Sequence, residues 1–277
     1  MPHPALAVMV EEHRKRFLGF LLLSLPFLFS FFSLLAKSAD AGTARSFCRT
    51  YPGDKAVEWE CRRMGKGETL EKLFGERWQD VARFNRIDRR HAHAGVYLKF
   101  PKRPDDLRDF TPLPRYFQQA EAEEKFILVD LSRQFLGAYE RGRLVFSTPV
   151  ASGKKTNKTP VGKFRVSAYN SKHKSSAYFI KDSDIPYPMN YGLRFHIDGH
   201  GVSYWLHGRD VPGYPASHGC VGLYDEEMQK EFYGFPRKPE LTDARKLFEW
   251  VLSPLSDDGK FHVLEKGPAV WVVKRVK

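Results

Sequence analysis

The sequence predicts a mainly β protein, a β-sandwich or barrel with a few helices, preceded by a small α+β unit. Three observations carry that reading. From Phe126 onward, short apolar runs recur between Gly, Pro and charged turns, as in a sandwich or barrel. Before it, residues 62–102 hold two short helical patterns and a closing alternating run, a βααβ order. Helical spacing then returns only late, from Asp225 to Phe232 and from Thr242 to Leu252.

The chain begins with Arg14-Lys15-Arg16, an uncharged run from Phe17 to Leu35, and Ala39-Asp40-Ala41. Basic flank, apolar centre and small-residue exit occur in the order of a secretory signal. The run is 19 residues, long for a cleaved signal and close to a bilayer span, although Pro26 interrupts it. Residues 1–41 are therefore read as a signal peptide or membrane anchor, with cleavage after Ala41 favoured. Either way the remainder is exported, to the periplasm or cell envelope, and touches membrane only through this segment if it stays uncleaved. The exported part keeps nearly all of the formal charge of +12, which suits the phosphates and carboxylates of an envelope. Nucleic acid is not an expected partner, because no Lys/Arg stripe is interleaved with aromatics.

The three cysteines are Cys48, Cys61 and Cys220. In an oxidising compartment an odd count leaves one thiol over. Cys48 and Cys61 are close enough in sequence for a local disulfide, which leaves Cys220 unpaired. Across 62–102, Thr69 is a candidate N-cap, and Leu70, Leu73 and Phe74 follow helical spacing up to a Gly75 stop. Trp78, Val81 and Phe84 share a second helical face that Asn85 ends, and Gly95 to Pro101 alternates as a closing strand. Residues 103–123, rich in Pro and charge, read as a linker. Phe126–Asp130, Phe135–Tyr139 and Leu144–Phe146 are strands, with a turn at Glu140–Arg143 and a tight Pro/Gly corner at Thr159–Phe164 leading to another strand.

The chemistry concentrates in Ser217-His218-Gly219-Cys220 and the upstream pair His207-Gly208. A thiol attacks acyl groups best as the thiolate, and a neighbouring imidazole is the usual means of generating one. The glycines leave backbone N–H groups unobstructed for an oxyanion. This is the pattern of a cysteine acyl-transfer loop, and its polar, Gly-rich setting argues against an inert buried thiol. His196 and His200 are four apart, but Asp198-Gly199-His200-Gly201 is turn-like and no spacing matches a zinc site, so no metal is expected. His173 and His262 read as surface residues.

Residues 125–265 resemble the YkuD-type L,D-transpeptidase catalytic domain. The resemblance rests on Val129-Asp130-Leu131-Ser132, Ser152-Gly153-Lys154, Thr159-Pro160-Val161-Gly162, Pro188-Met189-Asn190-Tyr191, His207-Gly208 and Tyr214 to Val221. It implies a catalytic domain over 124–277, with Cys220 as nucleophile, His207 as base and the Gly208 carbonyl fixing its tautomer. It also implies that His218 and Gly219, with Cys220, lend backbone N–H donors to the oxyanion. Tyr191, Met189, Ser217, Arg194 and Arg209 become candidate substrate-binding residues, Tyr191 with its hydroxyl toward the oxyanion. The implied reaction needs no cofactor. It attacks stem tetrapeptides of peptidoglycan through a thioester, giving 3-3 cross-links or attaching an amine acceptor such as a lipoprotein. Hydrolysis of the same bond by an L,D-carboxypeptidase or amidase, and non-catalytic peptidoglycan binding, are the alternatives. The family usually carries arginine two residues after the cysteine; here it is Gly222, and Arg194 or Arg209 are the candidate substitutes. The short His207–Ser217 loop implies an open cleft. Residues 42–102 resemble a LysM module through Gly67, Thr69, Leu70, Trp78, Asn85, Gly95, Leu98 and Pro101, which implies binding to the glycan strands of peptidoglycan.

Overall fold

In the computed structural model the described residues are 48–276 except Lys181. The signal or anchor reading of residues 1–41 lies outside them. The described residues fall in one compact unit, and among them no helix is long and apolar enough to cross a membrane.

A βααβ arrangement comes first: β1 (Trp59–Arg63), α1 (Leu70–Phe74), α2 (Trp78–Asn85) and β2 (Tyr97–Pro101), with β1 antiparallel to β2. Thr69 caps α1 by accepting from the Lys72 amide, and Gly75 ends it at φ 51°. Helix α2 turns Trp78, Val81 and Phe84 inward, and Val81 and Phe84 lose all exposure. Burial of such a side chain contributes about 1.5–3 kcal/mol. Asn85 closes the unit: its side chain donates to the carbonyls of Val81 and Lys99 and accepts from the Lys99 amide. Cys48 and Cys61 form a disulfide.

Two five-stranded sheets follow. The strands of the first are β3 (Phe126–Asp130), β4 (Phe135–Glu140), β5 (Arg143–Pro149), β6 (Gly162–Arg165) and β12 (Ala269–Val273), in the order β5-β4-β3-β12-β6. The second is built from β7 (Ala168–Phe179), β8 (Pro186–Ile197), β9 (Ser203–Arg209), β10 (Val221–Tyr224) and β11 (His262–Val263), in the order β10-β9-β8-β7-β11. Helices α3 (Glu226–Tyr233) and α4 (Asp243–Leu252) follow β10. The main core lies between the sheets, where Ile127, Val129 and Leu136 meet Leu193, Leu206, Val221 and Leu223, with Leu247, Phe248 and Val251 of α4 packed in.

Strand β3 is buried on both faces. Its outer side, Phe126 and Leu128, is covered by Phe117, Tyr139 and Trp271. Both faces need apolar residues, so β3 reads as a continuous hydrophobic run. The Pro-rich stretch before it is packed along its length: Leu107 is buried with the βααβ unit, whereas Ala120 and Phe117 pack against this sheet and Phe117 N–H donates to the Gly142 carbonyl.

Candidate active site

Strands β9 and β10 run parallel, with Leu206 opposite Val221 and Gly222 opposite His207. Leu206, Val221 and Leu223 point into the core. Alternation along the strands then turns His207, Gly222 and the preceding Cys220 to the other face. His207 is nearly buried, whereas Cys220, the free cysteine among the described residues, is partly exposed. His207 Nδ1 lies 2.8 Å from the Gly208 carbonyl oxygen. That contact requires a proton on Nδ1 and leaves Nε2 as the acceptor. Gly208 has no room for a side chain, because a Cβ would sit 2.2 Å from the Asp225 carboxylate.

The Ser217–Cys220 loop is cradled by the Ser152-Gly153-Lys154 segment. The Ser217 amide donates to the Ser152 carbonyl, and the Lys154 amide to the Ser217 carbonyl, both at 2.9 Å. Ala151 and Gly222 exchange two backbone bonds. A Cβ on Gly153 would lie 2.1 Å from the Asn157 carbonyl oxygen, so only glycine lets the cradle close. The Ser217 hydroxyl donates to the Cys220 carbonyl and accepts from the Gly219 amide. Gly219 has φ 122°, and a Cβ there would meet Tyr204 at 2.8 Å.

The resting charge state differs from the thiolate expected of a His-flanked cysteine. Burial pushes the Cys220 thiol up, against the pull of a Trp205 backbone hydrogen bond and the Arg209 charge. Burial, followed by the charge of Arg209, drops His207 to about 3. Both groups are therefore neutral at neutral pH.

Arg209 lies across Gly222. A Cβ at position 222 would fall 1.8 Å from Arg209 Cδ, so the arginine stem fills the space a side chain there would take. Of the two candidate substitutes, Arg209 is the one brought to Gly222. Arg194 instead donates to the Ser167 hydroxyl at 3.2 Å and pairs with Trp205 across β8 and β9. Tyr191 sits at φ 57°. Its hydroxyl donates to Glu227 at 2.9 Å and accepts from Arg245 at 3.0 Å. Burial raises this phenol to about 12. Met189 is buried and stands opposite His173 in the β7–β8 register. The His218 ring stacks on Tyr178 with centroids 4.2 Å apart and has its Nε2 2.9 Å from Lys154 Nζ.

His173 corrects the surface reading. It is half-buried and stacks on Trp205 at 4.1 Å. No sequence signal marked it, because the contact spans two strands. His262 is half-exposed, beside Asp258 and Tyr169. His196 stacks on Tyr204 and packs tilted against Phe164, while His200 lies in the exposed turn beyond. Among the described residues no cluster of His, Cys, Asp and Glu is arranged to hold a metal ion.

Residues 124–268 match the family model of the YkuD L,D-transpeptidase catalytic domain. Among solved structures, the chain is similar to an L,D-transpeptidase from Xylanimonas cellulosilytica, with 21% identity over 76% of this chain and 98% of that one, at a TM-score of 0.42. It is also similar to an L,D-transpeptidase (Yku) from Stackebrandtia nassauensis, with 20% identity over 73% and 68%, at 0.39. For L,D-transpeptidase 1 of Mycobacterium tuberculosis the values are 15%, 54% and 61%, at 0.35, so the chain spans less than two thirds of that protein. No curated protein matches the sequence. The family match takes in just over half of the chain and includes both His207 and Cys220, and the chain therefore belongs to the YkuD family of L,D-transpeptidase catalytic domains.

Proposed function

We propose that the protein is a cysteine-dependent L,D-transpeptidase acting on peptidoglycan stem tetrapeptides. The observation that carries this is the parallel β9–β10 register, which sets His207 opposite Gly222 with Cys220 immediately before that strand, together with the His207 Nδ1 contact to the Gly208 carbonyl. The Cys220 sulfur attacks the carbonyl of stem residue 3 while its proton moves to His207 Nε2. The tetrahedral oxyanion is held by the backbone N–H groups of His218 and Cys220, because the Gly219 amide is committed to Ser217. Collapse breaks the amide bond, the imidazolium protonates the departing D-alanine amine, and a thioester remains. An acceptor amine then attacks, gives its proton to His207, and expels the sulfur, which recovers that proton. A stem side-chain amine yields a 3-3 cross-link, a lipoprotein lysine yields an anchored protein, and water yields the carboxypeptidase product.

Peptidoglycan lies outside the cytoplasm, in keeping with the signal-like N-terminus. The βααβ arrangement supports a LysM-like unit that holds the enzyme on glycan and raises its local concentration there.

Incubation with a carbapenem and with purified tetrapeptide muropeptide, with and without acceptor amine, tests the reading. The expected results are a covalent adduct at Cys220, dimeric product with acceptor, and loss of both in Cys220→Ala. Trimmed monomer alone would assign hydrolysis. Glycan binding without any adduct would assign a non-catalytic binder.

A further inference from the structure

The chain joining the two reacting groups leaves β9 at Arg209 and returns at Ser217, and its first half is held by the βααβ unit. Asp88, fully buried, is the hub. One carboxylate oxygen accepts from the Val211 amide at 2.7 Å and from the Gln229 side chain at 2.8 Å. The other accepts from the His91 amide at 3.0 Å and lies 2.8 Å from His91 Nδ1. The Asp88 amide donates to the Val211 carbonyl at 2.8 Å. Around this hub, Arg90 and Gln229 donate to Asp210 at 2.7 and 2.9 Å, Ile87 bridges Pro212, and the Tyr51 hydroxyl donates to the Gly213 carbonyl at 3.0 Å. The end of β10 is hooked to the same unit, because Tyr224 donates to the carbonyls of Ala82 and Ile87.

A module that served only to tether the enzyme to glycan would need none of this. Burying a carboxylate costs several kcal/mol unless its acceptor sites are filled, and here the fillers include the loop that separates base from nucleophile. We infer that the βααβ unit is a built-in brace of the catalytic loop, with Asp88 as the positioning residue that fixes the 210–213 turn. The inference rests on the reading of Cys220 and His207 as the reacting pair. Through that turn the brace sets Arg209, whose stem lies over Gly222 and whose charge reaches both groups.

The test uses the full chain and three variants. Asp88→Asn removes the hub charge, Tyr51→Phe removes only the hydroxyl bond to Gly213, and Leu70→Ala removes buried bulk from the same unit while leaving its bonds to the loop. Three quantities are read at a temperature where each variant is folded: Tm, the rate of Cys220 alkylation by iodoacetamide from pH 5 to 10, and the rate of carbapenem acylation. Asp88→Asn is expected to displace the alkylation profile and slow acylation roughly tenfold, since misplacement by about 1 Å is costly. Tyr51→Phe moves both in the same direction by less. Leu70→Ala lowers Tm yet leaves the profile in place. A folded Asp88→Asn with the native profile overturns the brace, as does Leu70→Ala shifting it equally. If Asp88→Asn does not fold, Tyr51→Phe decides, and a native profile there overturns the brace. Absence of any carbapenem adduct on the unaltered protein would defeat the proposed function, whereas the alkylation profile reads the brace independently.

Discussion

Gly222 and Arg209 compete for one volume. The stem of Arg209 takes the space a Cβ at Gly222 would need, and its charge opposes the burial that raises the Cys220 thiol and adds to the burial that lowers the His207 imidazole. Gly222→Arg is therefore expected to clash and to lose acylation. Arg209→Gly is expected to slow carbapenem acylation about tenfold, the scale of one lost charge-assisted interaction. The double exchange, Arg209→Gly with Gly222→Arg, returns a guanidinium to the cleft and should recover most of the rate. Native acylation by Arg209→Gly alone would show that the cleft does not need the charge. At this scale the sequence showed which residues are adjacent along the chain. The His207 contact with the Gly208 carbonyl is of that kind, and so is the Ser217 clasp on its own loop. It could not show that Arg209 fills Gly222, that His173 stacks on Trp205, or that burial keeps the thiol protonated, because those depend on strand neighbours and on solvent exclusion.

The elements with one clear apolar period were readable. Helix α1 begins after Thr69 and ends at Gly75, α2 ends at Asn85, and β3 spans Phe126–Asp130. The long strands β7 and β8 gave no such signal. Polar residues such as Lys172, Lys174, Ser175 and Ser176 fill the outer half of β7, so its alternation is weak there. Asn85 illustrates how an element's end becomes a tertiary joint. Its side chain fills three backbone partners on α2 and β2, so Asn85→Ala is expected to cost about 2–3 kcal/mol through unsatisfied buried groups. Urea unfolding measures this, and a loss under about 0.5 kcal/mol, the level of an ordinary surface change, would mean those groups find other partners.

Across the whole molecule, the βααβ unit carries a buried charge cluster close to the loop it braces. Lys99 and Arg86 both pair with Asp54, and none of the three is exposed. Two cations share one carboxylate. Burial first, then the charge of Arg86, lowers Lys99 from 10.5 to about 7, against the pull of Asp54. Between about pH 7 and 10.5 the unfolded chain binds a proton at Lys99 that the folded chain does not. Stability is therefore expected to rise with pH across that window, with the penalty fully present below it. Lys99→Met should flatten the rise, as urea midpoints from pH 6 to 10 would show. An unchanged slope in that variant would place the titration elsewhere. The net charge of +12 acts at the same scale, favouring anionic partners and surfaces without choosing a fold.

The sequence alone determined the β-rich class, the βααβ order, the available cysteine and the loop that carries it, because each is written in local periodicity, turn chemistry or residue adjacency. Tertiary structure decided the rest. It inserted β12, from the end of the chain, between β3 and β6. It laid Arg209 over Gly222, neutralised the thiol–imidazole pair by burial, and set Asp88 against a turn more than a hundred residues away. These outcomes depend on which surfaces exclude water together, and that is a property of the packed chain rather than of any local stretch.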